Sequence, residues 1–370
     1  MFRRIELYLQ DLIKGRHNGP LALMIKAVLC MLSWPYQMIV CVRNWAFDYG
    51  WVRSYTPPVP VVISIGNIVA GGTGKTPVTL ALAQQFADKY SIAILSRGYR
   101  SKAENLAEPI VLSRGEGPIH PPAFCGDEPF LLAENLPKAF VIVGKDRHKA
   151  SDMAAQAGAQ LILLDDGMQH RHLDRDYEIV VMDGHDPFGK GHFLPRGFLR
   201  EGLSSLSRAD LIILNHVRDS DHYHTVVKQI ACHAKAKVVG TKMQVSGIWD
   251  LFGKPLESLS GKKVAFFCGI AHPEYFQETV KGLGAEIMCH HIVPDHREFP
   301  LEAFREFADE ALDAGVEWLL CTEKDKVRLD RNLMEEYPIA WIQMSLVVVE
   351  GHEAWNKFLE KAKSDLVRRT

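Results

Sequence analysis

The segment 65–76 constrains the fold more than any other, because it reads I-G-N-I-V-A-G-G-T-G-K-T and continues directly from the apolar run 61–65. A buried strand that leads into a glycine-rich turn ending in Gly-Lys-Thr forms a cradle of backbone N–H groups for nucleotide phosphates. Lys75 would neutralise the β- and γ-phosphates, and Thr76 would place its hydroxyl on Mg²⁺. The segment therefore predicts a binding site for a nucleoside triphosphate.

The spacing of this loop departs from the usual G-x-x-x-x-G-K-[ST] pattern, because Val69 stands where the first glycine is expected. Gly66 and the pair Gly71 and Gly72 can supply the missing freedom, and Gly71, Gly72 and Gly74 allow positive φ angles. We interpret the segment as a variant phosphate loop, and the alternative is a chance glycine-rich turn. The residues expected to contact the nucleotide are Gly66, Asn67, Ala70, Gly71, Gly72, Thr73, Gly74, Lys75 and Thr76.

Short apolar runs alternate with helical patterns along the rest of the chain. The predicted strands lie at 92–96, 139–143, 161–164, 179–182, 211–215, 264–268, 287–293, 318–322 and 339–344. This alternation is typical of an α/β fold with a mostly parallel sheet and helices on both faces, as in P-loop NTPases. The predicted organisation is a helical segment at 1–53, a phosphate-loop core at 54–240, a turn-rich linker at 241–260 and a smaller C-terminal α/β domain at 261–370.

Charge and cysteine content exclude some classes of function. The formal net charge is −2 over 370 residues, so there is no general basic field and we expect no nucleic-acid partner. The seven cysteines are scattered, odd in number and contain no C-x-x-C. This pattern indicates a reducing compartment and argues against a disulfide framework or a zinc site.

The amino-terminal region is unusually apolar for a soluble enzyme. Residues 21–47 are mostly hydrophobic and include the amphipathic aromatics Trp34, Tyr36 and Trp45, with basic residues around them. Such a hydrophobic and amphipathic helical segment favours an anionic membrane surface. Polar residues interrupt it and Pro35 would break or kink a helix, so we expect a monotopic contact with the membrane. The alternatives are two ordinary helices packed on the core, or a true membrane span.

Acidic residues end the apolar strand at 161–164, in the sequence L-I-L-L-D-D-G-M-Q-H-R-H. Asp165 and Asp166 are candidates for the Mg²⁺ site, because ligands gather at the carboxyl ends of parallel strands. Adjacent residues on a strand point to opposite sides, so only one of them is expected to reach the ion directly. Gln169 and His170 can face the same cleft. A strand-end turn without function, or a zinc site that includes His170, are the weaker alternatives.

Three more polar clusters stand near predicted strand ends or helix starts. Arg97 follows the strand at 92–96 and is suited to bidentate contacts with anionic groups. Arg147 follows the strand at 139–143 and adds positive charge to the same edge. Asp127 opens a helix, where the N-terminus stabilises an ionised carboxylate, and it is also plausible as a simple N-cap.

Seven motifs in this order resemble the tetraacyldisaccharide 4′-kinase family. They are G-N-(x)3-G-G-T-G-K-T, S-R-G-Y, G-D-E-P, D-D-G-M-Q-H, F-L-P-R-G-x-L-R-E at 193–201, P-D-H at 294–296 and T-E-K-D at 322–325. The resemblance runs from about residue 54 to residue 329, and an apolar segment precedes it as in the family. The displaced first glycine is itself a trait of that family.

The resemblance implies transfer of the γ-phosphate of ATP to the 4′-hydroxyl of a tetraacylated glucosamine disaccharide 1-phosphate, which gives lipid IVA. It also implies an enzyme at the cytoplasmic face of the bacterial inner membrane, bound through its amino-terminal helix, with Mg²⁺ as cofactor. We expect the enzyme to be a monomer. At matching positions, Lys75 and Thr76 would hold phosphate and Mg²⁺. Asp166 would be the carboxylate associated with the metal.

The same resemblance implies roles for residues further along the chain. Asp127 would be the candidate base, paired with His296 from the second domain. Arg200 would offset charge on the transferring phosphoryl group, and Glu201 would lie near it. His290 and His291 lie close to His296 in the sequence, so the choice among these histidines stays open.

Two other functional classes remain as alternatives. A membrane-associated nucleotide switch of the partitioning-ATPase type also combines a G-G-x-G-K-T loop with an amphipathic anchor. The chain lacks the second lysine that such proteins carry at the start of the loop, where Val69 and Ala70 occur. A soluble small-molecule kinase would leave the apolar amino terminus unexplained.

Overall fold

The structure, a computed structural model, describes residues 8–9, 11–270, 273–293, 300–329 and 331–370. In these ranges twelve strands form a single sheet. The strands are β1 (Val61–Gly66), β2 (Ile92–Ser96), β3 (Ile110–Arg114), β4 (Phe140–Val143), β5 (Leu161–Asp165), β6 (Tyr177–Asp183), β7 (Leu211–Asn215), β8 (Lys237–Asp250), β9 (Lys263–Cys268), β10 (Glu286–Ile292), β11 (Trp318–Thr322) and β12 (Ile339–Glu350). Their order across the sheet is β10-β9-β11-β12-β8-β7-β6-β1-β5-β2-β4-β3.

Helices connect these strands and cover both faces of the sheet. They are α1 (Pro20–Asp48), α2 (Lys75–Gln84), α3 (Pro122–Cys125), α4 (Asp127–Asn135), α5 (Arg147–Gln156), α6 (Ser220–Ile230), α7 (Pro273–Gly282), α8 (Leu301–Asp313), α9 (Glu323–Lys326), α10 (Arg331–Glu336) and α11 (His352–Arg369). Short 3₁₀ turns occupy Ala103–Asn105, Gly189–Gly191 and Leu203–Arg208. The prediction of a mostly parallel α/β sheet flanked by helices is confirmed.

Two pairs of neighbouring strands are antiparallel, namely β3 with β4 and β8 with β12, and the other pairs of the described sheet are parallel. The parallel strands are buried on both sides. Ile179 of β6 packs in a core with Leu82 of α2, whereas its neighbour Val180 packs on the opposite face with Ile230 of α6. Burial on both faces explains why these strands appear in the sequence as continuous apolar runs.

The segment predicted as a linker at 241–260 has a different structure. Residues 237–250 form the long strand β8, which pairs in parallel with β7 through its first part and antiparallel with β12 through its second part. The sheet is therefore continuous from the phosphate loop to the C-terminal residues. Side chains alternate between burial and exposure along much of β8, and Gly240 and Gly247 interrupt it, so the sequence shows no apolar run there.

The amino-terminal segment forms one helix, α1, and Pro35 lies inside it without ending it. By length and composition this helix is the one stretch among the described residues that could cross a membrane. Most of its large apolar side chains are exposed, including Leu23, Trp34 and Met38. Tyr36 differs from the expected surface anchor, because its hydroxyl donates a hydrogen bond to the carbonyl oxygen of Arg200 at 3.2 Å.

Candidate active site

The phosphate loop, residues 66–76, joins β1 to α2 at the carboxyl edge of the sheet. Gly74 adopts a left-handed conformation with φ of 81° and precedes Lys75, the first residue of α2. Gly71 also has a positive φ, at 117°. Gly72 does not, so the predicted need for positive φ applies to two of the three loop glycines. A side chain at Gly71 or Gly74 would strain the loop backbone.

The loop begins with tight packing, which accounts for the displaced glycine. Val69 is buried and bridges to Leu199, and the N–H of Ala70 donates to the carbonyl oxygen of Phe198 at 2.7 Å. A Cβ on Gly66 would come within 2.4 Å of the Cβ of Met168, so this glycine permits a close approach. Position 69 therefore provides an apolar contact, and the glycine is needed three residues earlier.

Two buried asparagines fix the rest of the loop. The side-chain amide of Asn67 donates to the Thr73 hydroxyl at 2.9 Å. The side-chain amide of Asn215, the last residue of β7, donates to the Thr73 carbonyl oxygen at 2.7 Å. Asn215 was not among the predicted site residues. Its signal in the sequence was a polar residue at the end of an apolar strand, the same signal that identified Asp165.

Asp166 lies at the centre of a charged cluster. Its carboxylate is 3.6 Å from the Lys75 Nζ and accepts a hydrogen bond of 3.0 Å from Arg200 Nη1. The same Arg200 nitrogen donates to the side-chain oxygen of Asn67 at 3.0 Å. Asp166 has a φ of 53°, a left-handed conformation that is uncommon for residues with a side chain and often marks functional sites.

Asp165 is placed differently from its neighbour. Its carboxylate is buried and accepts hydrogen bonds from the hydroxyls of Ser96 at 3.2 Å and Thr79 at 3.5 Å. Burial raises the pKa of Asp165 to about 7, and the negative charges of Glu128 and Asp166 add to this effect. Asp165 therefore holds the strand ends together, while the neighbouring carboxylate faces the loop lysine.

The environment of Asp166 favours its charged form. Burial favours the neutral acid, but the positive charges of Lys75 and Arg200 outweigh it and lower the pKa of this carboxyl. Thr76 and Asp166 both line the same cleft, and a hydroxyl with an ionised carboxylate supplies the oxygen donors that Mg²⁺ prefers. These residues fit a magnesium site.

Gln169 and His170 lie beside this cluster, as predicted from the glycine turn. The Gln169 amide donates to the Asn67 carbonyl oxygen at 2.9 Å and to Glu201 at 3.2 Å. Within the described residues, the Gln169 Oε1 and the His170 Nε2 are buried without a hydrogen-bond partner. Burial lowers the pKa of His170 to about 4, and the positive charge of Arg147 adds to this shift. The imidazole is thus neutral near pH 7.

The two predicted arginines have different surroundings. Arg147 is buried, and its guanidinium donates to the carbonyl oxygens of Gly144 at 3.2 Å and Asp165 at 3.3 Å. Burial lowers its pKa to about 10. Arg97 is half exposed and pairs with Glu104 at 2.7 Å. Both arginines line the cleft, and Arg97 is the one accessible to a large ligand.

Glu201 connects the site to the amino-terminal helix. Its side chain is fully buried and bonds to Arg43 at 3.2 Å and Asn44 at 2.9 Å, both in α1, and to Arg208 at 2.6 Å. Burial opposes its ionisation, yet Arg208 and its other partners lower the pKa of Glu201. Together with the bond from Tyr36 to the Arg200 backbone, these contacts attach α1 to the segment that carries Arg200.

Asp127 faces the site from the start of α4. The N-cap of this helix is Gly126 without a side-chain cap, so Asp127 is not a simple N-cap. Its carboxylate accepts a hydrogen bond of 2.8 Å from the Nε of Arg328 and a second bond from the same guanidinium. Arg328 was not among the predicted residues, and it extends from the C-terminal half of the sheet across the cleft.

The T-E-K-D motif, which had no assigned role, supports Arg328. Thr322 caps α9 by accepting a hydrogen bond from the Asp325 N–H at 3.2 Å. The buried Asp325 carboxylate accepts from the Gly269 N–H at 2.9 Å and lies 3.8 Å from Arg328 Nη1. The spacing of Asp325 and Arg328 by three residues was the available signal, since such pairs meet on one face of a helix or turn.

Most of the predicted site residues line one cleft of about 2930 Å³ between the two halves of the sheet, whereas Gly66, Asn67 and Glu201 are not part of its wall. It contains Lys75, Asp127 and Asp166 from the first half and Arg328 from the second. His296, the predicted partner of Asp127, lies outside the described residues. His290 and His291 are in β10, where the ring of His290 stacks on Phe266 at 5.2 Å and His291 lies 5.4 Å from the Phe307 ring.

The chain is similar to known proteins along nearly its whole length. The sequence profile of the family described as tetraacyldisaccharide-1-P 4′-kinase matches residues 25–363. The tetraacyldisaccharide 4′-kinase of Anaeromyxobacter sp. strain K is 39% identical over 325 residues, which cover 85% of this chain and 84% of that protein. The enzyme of the same name from Halothermothrix orenii is 33% identical over 356 residues, with 91% of each chain covered.

A solved structure is also similar. The crystal structure of LpxK from Aquifex aeolicus in complex with ATP superposes with a TM-score of 0.73 and is 26% identical, covering 91% of this chain and 99% of that one. The sequence relatives and the structural neighbour thus agree with the family that the motifs indicated. The chain belongs to the tetraacyldisaccharide-1-P 4′-kinase family.

Proposed function

We propose that the chain transfers the γ-phosphate of ATP to the 4′-hydroxyl of a tetraacyldisaccharide 1-phosphate and so forms lipid IVA in lipid A biosynthesis. The observation that carries the proposal is the single cleft in which Lys75, Asp166 and Arg200 form one charged cluster opposite Asp127. Family membership supplies the substrate class. A membrane-associated nucleotide switch has no observation in its favour.

The phosphate-loop half supplies charge stabilisation. Phosphoryl transfer has little covalent chemistry for the protein to perform, so alignment and neutralisation of the phosphate charge carry most of the rate enhancement. Lys75 would bind the β- and γ-phosphates, and Arg200 would exchange part of its contact with Asp166 for the transferring group. Thr76 and Asp166 would hold Mg²⁺, which neutralises the phosphate oxygens when it is bound.

Asp127 is the proposed base for the sugar hydroxyl. A carboxylate at the start of α4 faces the cleft, and a base needs only to accept the hydroxyl proton within hydrogen-bond reach. Arg328 keeps this carboxylate in place before the substrate arrives, through two hydrogen bonds to one oxygen. His296 is the proposed partner of Asp127 in proton transfer, on the basis of the family motif alone.

The exposed apolar face of α1 is the proposed contact with the membrane. Leu23, Trp34, Met38 and Ile39 are each more than half exposed, which is costly in water and favourable at a lipid interface. The opposite side of the helix is bonded to the Arg200 segment. We propose that a monomer binds the cytoplasmic face of the inner membrane in this way and so brings the cleft to a substrate whose acyl chains remain in the bilayer.

The reaction is tested by transfer of radiolabel from γ-labelled ATP to tetraacyldisaccharide 1-phosphate in detergent micelles. Wild type should give Mg²⁺-dependent labelled lipid, and Asp127→Asn should lower the rate by about 10²-fold or more, the usual contribution of a general base. Asp221→Asn is the matched control, because Asp221 is an exposed acid in the first turn of α6. Labelled lipid at wild-type rate in Asp127→Asn would exclude that residue as the base. ATP binding without labelled lipid would support the nucleotide switch.

The membrane contact needs a separate test. Deletion of residues 1–47 would remove the exposed face of α1 together with Tyr36, Arg43 and Asn44, so it would disturb the site as well. The variant Trp34→Ser/Met38→Ser changes only exposed positions and should reduce flotation with anionic vesicles. Phe252→Ser, which replaces another highly exposed aromatic far along the chain, is the control. Equal flotation of all three proteins would contradict the proposal.

A further inference from the structure

Three side chains with metal-binding atoms converge at the carboxyl ends of β6 and β7. Asp183 is the last residue of β6, His185 follows it after one residue, and His216 comes directly after β7. Asp183 pairs in register with Asn215, so two neighbouring strands deliver these groups to one place. One ligand atom from each of the three residues lies within 4.8 Å of the others.

The spacing of the ligand atoms resembles that of a metal site. The Nδ1 of His185 is 3.1 Å and the Nδ1 of His216 is 3.2 Å from the same oxygen of Asp183. Ligand atoms of a tetrahedral zinc site with bonds of about 2.0–2.1 Å lie roughly 3.3 Å from one another. Both measured distances are close to this spacing, so a small rotation of the rings would turn three hydrogen-bonding groups into three ligands.

The backbone and the surrounding rings hold the two histidines in this arrangement. His216 has a φ of 59°, a left-handed conformation that residues with a Cβ adopt rarely and that often marks functional sites. The rings of His185 and His216 lie 5.7 Å apart between centroids. Tyr275 of α7, from the C-terminal half of the sheet, stacks on His185 at 5.2 Å and lies 5.6 Å from His216.

We propose that Asp183, His185 and His216 bind a transition-metal dication of the Zn²⁺ class. Two imidazole nitrogens and one carboxylate suit zinc and its first-row neighbours, whereas Mg²⁺ and Ca²⁺ prefer oxygen ligands alone. This site is distinct from the Mg²⁺ position proposed at Thr76 and Asp166. It contains no cysteine, which is why the cysteine pattern in the sequence gave no indication of it.

The location of the site indicates how a bound ion would affect the structure around the phosphate loop. Asn215, the last residue of β7, pairs with Asp183 and donates to the Thr73 carbonyl oxygen of the phosphate loop. A cation that joins Asp183 to His216 would fix the ends of β6 and β7 at the residue that pairs with Asn215 and the residue that follows it. Because Tyr275 covers the histidines from the other half of the sheet, the ion would also lie at the boundary of the cleft.

The test uses the full chain after treatment with a chelator, without nucleotide because ATP itself binds metal ions. Zn²⁺ is measured by equilibrium dialysis against excess Mg²⁺, and Co²⁺ is titrated and followed by its visible ligand-field absorption. The variants are Asp183→Asn, His185→Ala and His216→Asn, the last chosen because asparagine tolerates a left-handed backbone. Heat denaturation of each variant without metal checks that it folds.

His222→Gln is the matched control. The ring of His222 is 6.3 Å from that of His185, but both of its nitrogens are bonded to the backbone. Its Nε2 is 3.1 Å from the Gly184 carbonyl oxygen, and its Nδ1 accepts from the Arg218 N–H at 3.2 Å. This histidine is therefore part of the same surface without being a ligand.

Wild type and His222→Gln should each bind one metal ion per chain in the presence of excess Mg²⁺. Affinity should fall at least tenfold in each of the other three variants, with loss of the Co²⁺ bands. Absence of stoichiometric metal in wild type would overturn the proposal and leave a hydrogen-bonded cluster. Metal retained by all three variants would also overturn it.

Discussion

In the phosphate-loop half of the sheet, the charged side chains that line the cleft are bonded to one another. In the C-terminal half, the charged side chains that line the cleft are instead bonded to residues on its opposite side. Lys75, Asp166 and Arg200 form their cluster within one half, and Asn67 and Gln169 add hydrogen bonds to it. Arg328 has its main partner, Asp127, in the other half. The first arrangement is preorganised for phosphate, and the second depends on how the two halves meet.

Helix α4 provides much of the contact between the two halves of the sheet. Besides the Asp127 pair, its Glu134 accepts from Lys326 at 3.0 Å, and its Asn135 donates to Glu323 at 2.7 Å. Partly exposed pairs of this kind contribute little individually, so they can exchange partners when a large substrate enters. The buried Glu201 network cannot do so, because an unpaired buried charge is strongly unfavourable. We therefore expect that loss of an ion pair has a large effect in the buried Glu201 network and a small effect at the contacts between the two halves of the sheet.

The largest effect is expected at Arg200. Arg200→Ala should lower kcat about 10³-fold, since an arginine that stabilises the transferring phosphoryl group contributes on this scale. The KM for ATP should change less, because Lys75 remains. Arg196→Ala, in the same segment, is the control, since its hydrogen bond to the Ser33 hydroxyl comes from the backbone. Equal kcat values for the two variants would contradict the proposed role.

The next effect concerns stability within the phosphate-loop half. Glu201→Gln should lower the free energy of unfolding by about 3 kcal/mol, because Arg43 and Arg208 lose a buried partner. Urea denaturation measures this change. Glu317→Gln removes the partner of Lys262 in an exposed pair and should change stability by less than about 1 kcal/mol. Similar losses in both variants would remove the distinction between buried and exposed pairs.

A smaller effect is expected for the contact across the cleft. Arg328→Lys should lower kcat/KM about tenfold, because an ammonium cannot reproduce the two guanidinium hydrogen bonds that position Asp127. In the Asp127→Asn background the same change should have little further effect, since residues that act together are not additive. Lys326→Met breaks the neighbouring pair with Glu134 and should alter kcat/KM less than about twofold. Additive losses in the double variant would show that the two residues act independently.

The smallest expected effect is a pH dependence of stability at His170. Burial and nearby positive charges hold its pKa at about 4, against 6.5 for the ordinary imidazole. The unfolded chain therefore takes up this proton first, and stability falls as pH is lowered from about 6.5 to 4. His170→Asn should reduce that loss in urea denaturation at pH 7 and pH 5.

Asp165 has the opposite sign, because its pKa is raised to about 7 and its contribution to stability is lost as pH rises through that value. Asp165 is present in both wild type and His170→Asn, so the difference between their pH dependences of stability reports on His170. The exposed His172→Asn is the control and should keep the wild-type slope. An unchanged slope in His170→Asn would contradict the prediction.

The sequence predicted the parts of the site that depend on local structure. An apolar strand followed by glycines or acids identified the phosphate loop, Asp165 and Asp166, because parallel strands buried on both faces leave a continuous apolar signal. The predicted strands all occur, those at 92–96, 211–215 and 318–322 with the predicted ends and the others with shifted ends. The two strands that were missed are β3 and β8, which pair antiparallel with β4 and β12. β3 has only two buried positions, and in β8 the buried run is limited to residues 238–241 and contains Gly240, with mostly half-buried and exposed positions after it.

Contacts between distant segments could not be predicted in this way. Arg328 meets Asp127 across 201 residues of sequence, and Tyr36 meets Arg200 across 164. No local pattern encodes such a pairing. At Pro35 a local rule, that proline ends a helix, predicted a break that does not occur. Contacts with distant segments on both sides of it, at Ser33 and Tyr36, outweigh the effect of the proline in α1. The division of the chain into a helical segment, a phosphate-loop core, a linker and a C-terminal domain stays a prediction, although β8 occupies residues 241–250 of the predicted linker.

Strand β8 also determines how the cleft can open and close. Gly240 pairs with Leu214 of β7 on one side and with Glu350 of β12 on the other, so both ladders meet at this residue. A flexible connection between two bodies would allow a wide swing, but β8 is a continuous strand that is paired with β7 through residues 237–240 and with β12 through residues 240–250, so it resists bending. Motion of the C-terminal half would then appear as a change in sheet twist of small amplitude. The amides of β8 would exchange slowly with solvent, and the unfolding of both halves would be a single cooperative transition.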